Sequence, residues 1–109
     1  MIETEYKFGE DHDLAAQIEA GEDRVHFQNI FSNANGGATL VAFKAGQKLD
    51  THTAPAEVMV YILEGEIEFT MLGHPHDLKK GEFLLMGANV EHSVVAKADS
   101  KLMLIKVKA

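Results

Sequence analysis

Six histidines and no cysteine set the chemistry open to this chain. Without thiols there is no disulfide and no thiolate nucleophile. A metal would have to be held by His, Asp, Glu or water, and proton transfer near neutral pH would fall to imidazole. The histidines occupy different settings. His52 lies within GQKLDTHTAPAEVMVYILEG, residues 46–65, a glycine-bounded loop that leads into an apolar strand and a second glycine turn. His92 closes GEFLLMGANVEH, residues 81–92, which runs from a glycine through an apolar strand to another turn. His74 and His76 form a His-x-His pair beside the Leu72-Gly73 turn and are expected at the surface. His12, at the start of a helical segment, is expected to be exposed. His26, in an early strand, either packs or faces solvent there, or reaches a pocket mouth.

The elements that must position these residues are mostly strands. Turn signals recur along the chain at Asn35-Gly36, Gly46, Gly65, Gly73, Gly81 and Gly87-Ala88-Asn89, the rhythm of an all-β sandwich or barrel. VHFQNIF and ATLVAFK flank SNANGG and predict a hairpin that turns at Asn35-Gly36, where both residues tolerate positive φ. IEFTM puts Ile67, Phe69 and Met71 on one face and Glu66, Glu68 and Thr70 on the other. FLLM and LMLI are apolar on both faces, which calls for a second sheet, an N-terminal arm or a second subunit over the outer side. DHDLAAQIEA, residues 11–20, predicts a short helix with Asp11 or Asp13 as cap, Leu14 and Ile18 on one face and Gly21 as its stop. So short a helix persists only when docked.

Length and charge exclude several functions. The 109 residues fit one domain, with residues 1–23 as arm and helix and 24–109 as a β-barrel. The formal net charge of −7 repels phosphate backbones and anionic lipid, so neither nucleic acid nor a membrane is an expected partner. The N-terminus lacks the basic-then-apolar pattern of a signal peptide, and a cytoplasmic location is the default expectation.

The spacing of the two glycine-bounded stretches resembles the two motifs of the cupin family, as found in small single-domain bacterial cupins. In the first motif Gly46, His52 and Gly65 stand in register, while Ala54 occupies the second histidine slot and Val58 the glutamate slot. In the second, Gly81 and His92 stand in register, with Gly87, Asn89 and Ala96 in the proline, glycine and asparagine slots. The resemblance implies an all-β cupin fold, a double-stranded β-helix or jelly-roll barrel, with a reduced metal site. Homodimers are expected, twofold pairs being the commonest oligomers.

The same resemblance places His52, Ala54, Val58, Val60 and Ile62 on the inner face with His92 opposite. Val58, Val60 and Phe69 are then pocket-lining residues beside the histidine pair. Strict alternation turns Glu57 outward, and it joins His52 and His92 as a metal ligand only if Pro55 permits a bulge. The expected cavity is either metal-free or holds one divalent transition metal (Fe, Mn, Ni, Cu or Zn). The first functional reading is a protein that binds a small molecule in the barrel. The alternative is a metal-dependent enzyme of dioxygenase or isomerase type, and a third is metal-free proton transfer by His52 or His92.

Overall fold

The computed structural model describes residues 1–109. Nine strands form two antiparallel sheets that face each other across one core. The first sheet has the order β1-β2-β9-β4-β7, built from His26–Asn33, Gly36–Phe43, Ser100–Lys108, Ala56–Glu64 and Phe83–Met86. The second has the order β3-β8-β5-β6, built from Lys48–His52, His92–Ala96, Glu66–Met71 and His74–Lys79. This is the expected all-β jelly roll. No helix is long and apolar enough to cross a membrane.

Alternation decides what each strand buries. On β4, Val58, Val60 and Ile62 point into the core, while Met59, Tyr61 and Leu63 face outward and are half-buried. On β5 the predicted face holds: Ile67 and Phe69 are buried and Met71 packs against the same core. The doubly apolar strands also resolve. Leu84 and Met86 of β7 and Leu102 and Leu104 of β9 join the core, whereas Phe83 and Leu85 stand exposed on the outside.

Turn chemistry fixes the frame. Gly65, at φ +83°, sits between β4 and β5 against the backbone of Asp99 and Ser100, and a Cβ there would overlap both. The buried Ser100 hydroxyl accepts from the Glu66 amide (3.1 Å) and donates to the Ala98 carbonyl (2.7 Å), so it leaves no polar atom unpaired. Asn89 adopts φ +62° and makes the turn that the glycine slot requires.

Two predicted local features differ. The hairpin between β1 and β2 turns one residue early, at Ala34-Asn35, with Asn33 paired to Gly36 and the Asn33 side-chain oxygen accepting from the Asn35 amide at 2.8 Å. Gly36 serves close approach instead, since a Cβ there would overlap the Lys106 carbonyl of β9. The expected ten-residue helix contracts to a single turn of 3-10 helix over Leu14–Gln17. Asp13 makes no side-chain cap, and Ile18 turns extended so that it can bury against Leu40 and Ala42 on the outer face of β2. Burial of one apolar side chain outweighs a marginal helical turn. The Lys101 ammonium donates to the Ala15 carbonyl at 2.7 Å and pins this turn to β9. Ahead of it, Glu3 bridges Ser32 as a short arm along β1.

Candidate functional site

His52 and His92 are brought together by register. They are cross-strand partners on β3 and β8, and their ring centroids lie 4.1 Å apart at 57°. The pairing depends on one extra residue in β3, because Leu49 pairs with Val94 and the next pair is His52 with His92. Leu49 faces the core, so plain alternation would turn His52 away; the bulge re-aims it inward. A bulge thus exists near the first motif, but it serves His52 and not Glu57.

The two rings share a tautomer. His52 Nδ1 lies 2.7 Å from the Asp50 carbonyl, and His92 Nδ1 lies 2.9 Å from the Val90 carbonyl. A carbonyl only accepts, so each Nδ1 carries a proton, and in the tautomer this selects Nε2 is the acceptor. His92 is buried, and Phe69 stacks on it at 5.5 Å and 14°. His52 is exposed at the rim. Burial holds the His92 pKa below the ordinary imidazole value. The Val90 carbonyl opposes this, and the nearby charges of His52 and Lys106 reinforce it.

These rings open on a cavity of about 230 Å³ inside the barrel. Val58, Val60, Phe69, Val41, Phe43 and Met86 are among its apolar lining. The Thr53-Ala54-Pro55 link forms the rim, held by the Asn89 amide donating to the Ala54 carbonyl at 2.8 Å. Ala54 and Val58, in slots where the first motif carries ligands, therefore leave apolar wall.

Several lining residues were missed from sequence, and Lys106 is the charged one among them. Lys106 of β9 pairs with Val58 on one side and Gly37 on the other, on the inward side with Leu102 and Leu104, and it lines the cavity. The only sequence signal was its two-residue spacing from Leu102 and Leu104, which is hidden because Leu102–Ile105 is apolar on both faces.

The other candidates lie elsewhere. β4 runs in regular register from Ala56 to Ile62, so Glu57 stays exposed on the outer face beside Met59, Leu85 and Val107. The reading of Glu57 as a third ligand is corrected on this ground. His74 and His76 are exposed on β6. His26 is tied to the Glu19 carbonyl (2.9 Å) and the Asp23 carboxylate (3.0 Å), away from the cavity. His12 is exposed and meets Tyr6 edge-on.

The donor set does not fit a tightly held divalent metal. Two neutral imidazoles converge, but no group of three or more His, Asp or Glu side chains is placed to share an ion. The cavity wall adds an ammonium and no carboxylate, and a cation beside a dication is repulsive.

Comparison with known proteins adds the lineage of this architecture. Residues 39–108 match the family described as a cupin domain. No curated protein matches the chain. Among solved structures, a conserved Streptococcus pyogenes protein of unknown function superposes with a TM-score of 0.87 at 23% identity, covering 95% of this chain and 91% of that one. A cupin superfamily protein from Desulfitobacterium hafniense gives a TM-score of 0.87 at 22% identity, covering 94% of each chain. A cupin 2 conserved barrel domain protein from Leptotrichia buccalis is 35% identical with a TM-score of 0.84, covering 89% of this chain but 47% of that one. The likenesses near 22% carry the fold and nothing of activity.

Proposed function

This chain belongs to the cupin family, and from that premise we propose that it binds a small molecule in the barrel cavity beside His52 and His92. The observation that carries the reading is a small apolar cavity lined by two adjacent imidazoles, each with its Nδ1 taken up by a backbone carbonyl and its Nε2 without a protein partner. Concave, mostly apolar sites with a few convergent polar groups are the usual form of small-molecule sites. The ligand is small, has an apolar or aromatic body, and offers a hydroxyl or N–H proton to the ring nitrogens. Phe69 supports the reading as a flat wall stacked behind His92.

The competing metal-dependent dioxygenase or isomerase draws on one specific feature. Each ring has its Nδ1–H bonded to a carbonyl, the arrangement in which ligating imidazoles are usually held. The donor count stands against it. Untagged protein decides between the two. It is expected to carry no stoichiometric metal by elemental analysis. It is also expected to gain about 10 °C in Tm with a small aromatic compound at a hundredfold its Kd. Stoichiometric iron, manganese or zinc that is lost in His52→Ala and His92→Ala would overturn the binding reading in favour of the enzyme.

The same reading has the chain acting as a homodimer, with the apolar outer face of β4, β7 and β9 as the contact. Phe83, Leu85 and Val107 stand exposed there.

A further inference from the structure

We propose that the cavity is a monocarboxylate site, in which the Lys106 ammonium at the mouth takes the ligand's carboxylate while the apolar body lies against Val58, Val60 and Phe69. The proposal rests on the small-molecule reading above and names the ligand class of that site. Its first support is register. β9 alternates Leu102, Leu104 and Lys106 on its inner side, and Lys106 stands directly across from Val58, the position where the first motif would carry a carboxylate. The neighbour on β2 is Gly37, which has no side chain to cover it.

Charge gives the second support. The protein has a net charge of −7, with 17 acidic and 10 basic residues. Yet the cavity wall contains no acidic residue, and Lys106 is its one lysine or arginine. Lys7, Lys44, Lys48, Lys97 and Lys101 each have an acidic side chain within 4 Å; Lys106, like Lys79, Lys80 and Lys108, has none, and of those four it alone lines the cavity. Lys106 is exposed and yet lines the cavity, and a lysine can lay its stem on apolar wall at little cost while its ammonium stays in water. An unpaired ammonium beside a cavity without carboxylates attracts an anion and repels a metal ion.

Size and polarity narrow the anion. A cavity of about 230 Å³ with a mostly apolar wall fits a small organic acid better than a heavily hydrated inorganic one. The Nε2 acceptors then take a ligand O–H or N–H, leaving the single anionic end to Lys106.

Para-hydroxybenzoate and para-hydroxybenzyl alcohol (the benzoate and the alcohol) are suitable probes, being nearly equal in shape, alike in offering a phenol O–H to Nε2, and different in charge. Their Kd values are measured by calorimetry at neutral pH for the wild type, Lys106→Met and Lys106→Arg. In the wild type, the benzoate is expected to bind at least about tenfold tighter than the alcohol, the factor one charge-assisted hydrogen bond contributes. Lys106→Met should remove that preference while keeping the alcohol's affinity, and Lys106→Arg should retain it. An unchanged benzoate preference in Lys106→Met, or equal affinities in the wild type, overturns the carboxylate proposal and leaves the small-molecule reading standing. Binding of neither probe to the wild type overturns both. Lys106 is exposed, so its substitution leaves the core intact, and an unchanged Tm of the free protein verifies that.

Discussion

At the scale of single residues, His92 shows how burial sets chemistry. Its side chain is 7% exposed, and desolvation first, then the charges of His52 and Lys106, lower its pKa from the ordinary 6.5. The folded state therefore keeps His92 neutral at a pH where the unfolded chain already binds a proton. Its contribution to stability is complete above about pH 6.5 and is lost as pH falls through the lowered folded value. Chemical denaturation across that window should show stability falling toward acid in the wild type, with a shallower slope in His92→Gln. Equal slopes in the two proteins would dismiss the burial argument. The lowered carboxyl of Asp99, held by the Ala45 amide, acts in a separate window that begins below about 3.8. The site was partly legible at this scale. His52 and His92 stand at motif spacing, and Ala54 and Val58 announce the lost ligands. Lys106 was not legible, because a strand whose Leu102–Ile105 run is apolar on both faces does not reveal which side Lys106 takes.

At the scale of elements, the N-terminal segment shows tertiary packing overriding local propensity. DHDLAAQIEA has helical spacing, yet only Leu14–Gln17 coil and Ile18 is extended. Ile18 is 7% exposed and packs with Leu40 and Ala42, and Leu14 and Ala20 gather around them. The segment thus works as a strap over β2 more than as a helix. Ile18→Ala should cost about 2–4 kcal/mol of unfolding free energy, the range for a large aliphatic truncated in a packed site. A loss under about 0.5 kcal/mol would show that the strap is loose in solution. The Gly65 turn and the alternation of β5 were legible because each rests on local sterics or on a period of two, whereas the order of strands in the sheets was not, since β9 pairs with β2 and β4 across long stretches of chain. The bulge in β3 was not. It arises from how β3 and β8 align, and no residue between Leu49 and His52 signals it by type.

At the scale of the whole molecule, the two sheets present unlike outer faces. Over the four-stranded sheet, Glu66, Glu68, Thr70 and Asp77 face outward, and Lys97 bridges Glu66 at 3.7 Å and Asp77 at 2.7 Å. Over the five-stranded sheet, the strap covers β2 and reaches Met103 of β9 and Leu63 of β4, but leaves β7 and the Met59 and Ile105 stretches of β4 and β9. There Met59, Tyr61 and Ile105 are half-buried, and Phe83, Leu85 and Val107 are 58%, 69% and 55% exposed. Contiguous apolar faces of this kind are uncommon on monomers. A second copy turned by a twofold axis would meet the patch with an identical apolar patch, whereas the acidic face would repel its own image. β7 is also the edge of its sheet, and its exposed Phe83 and Leu85 need cover to keep that edge from indiscriminate pairing. Sedimentation of the wild type is therefore expected to give twice the chain mass of 12.0 kDa. Leu85→Glu together with Val107→Glu should return the single-chain mass with the cavity's ligand affinity within about twofold, since neither residue lines it. A wild type that sediments as one chain, or a double variant that remains paired, would remove this face as the contact.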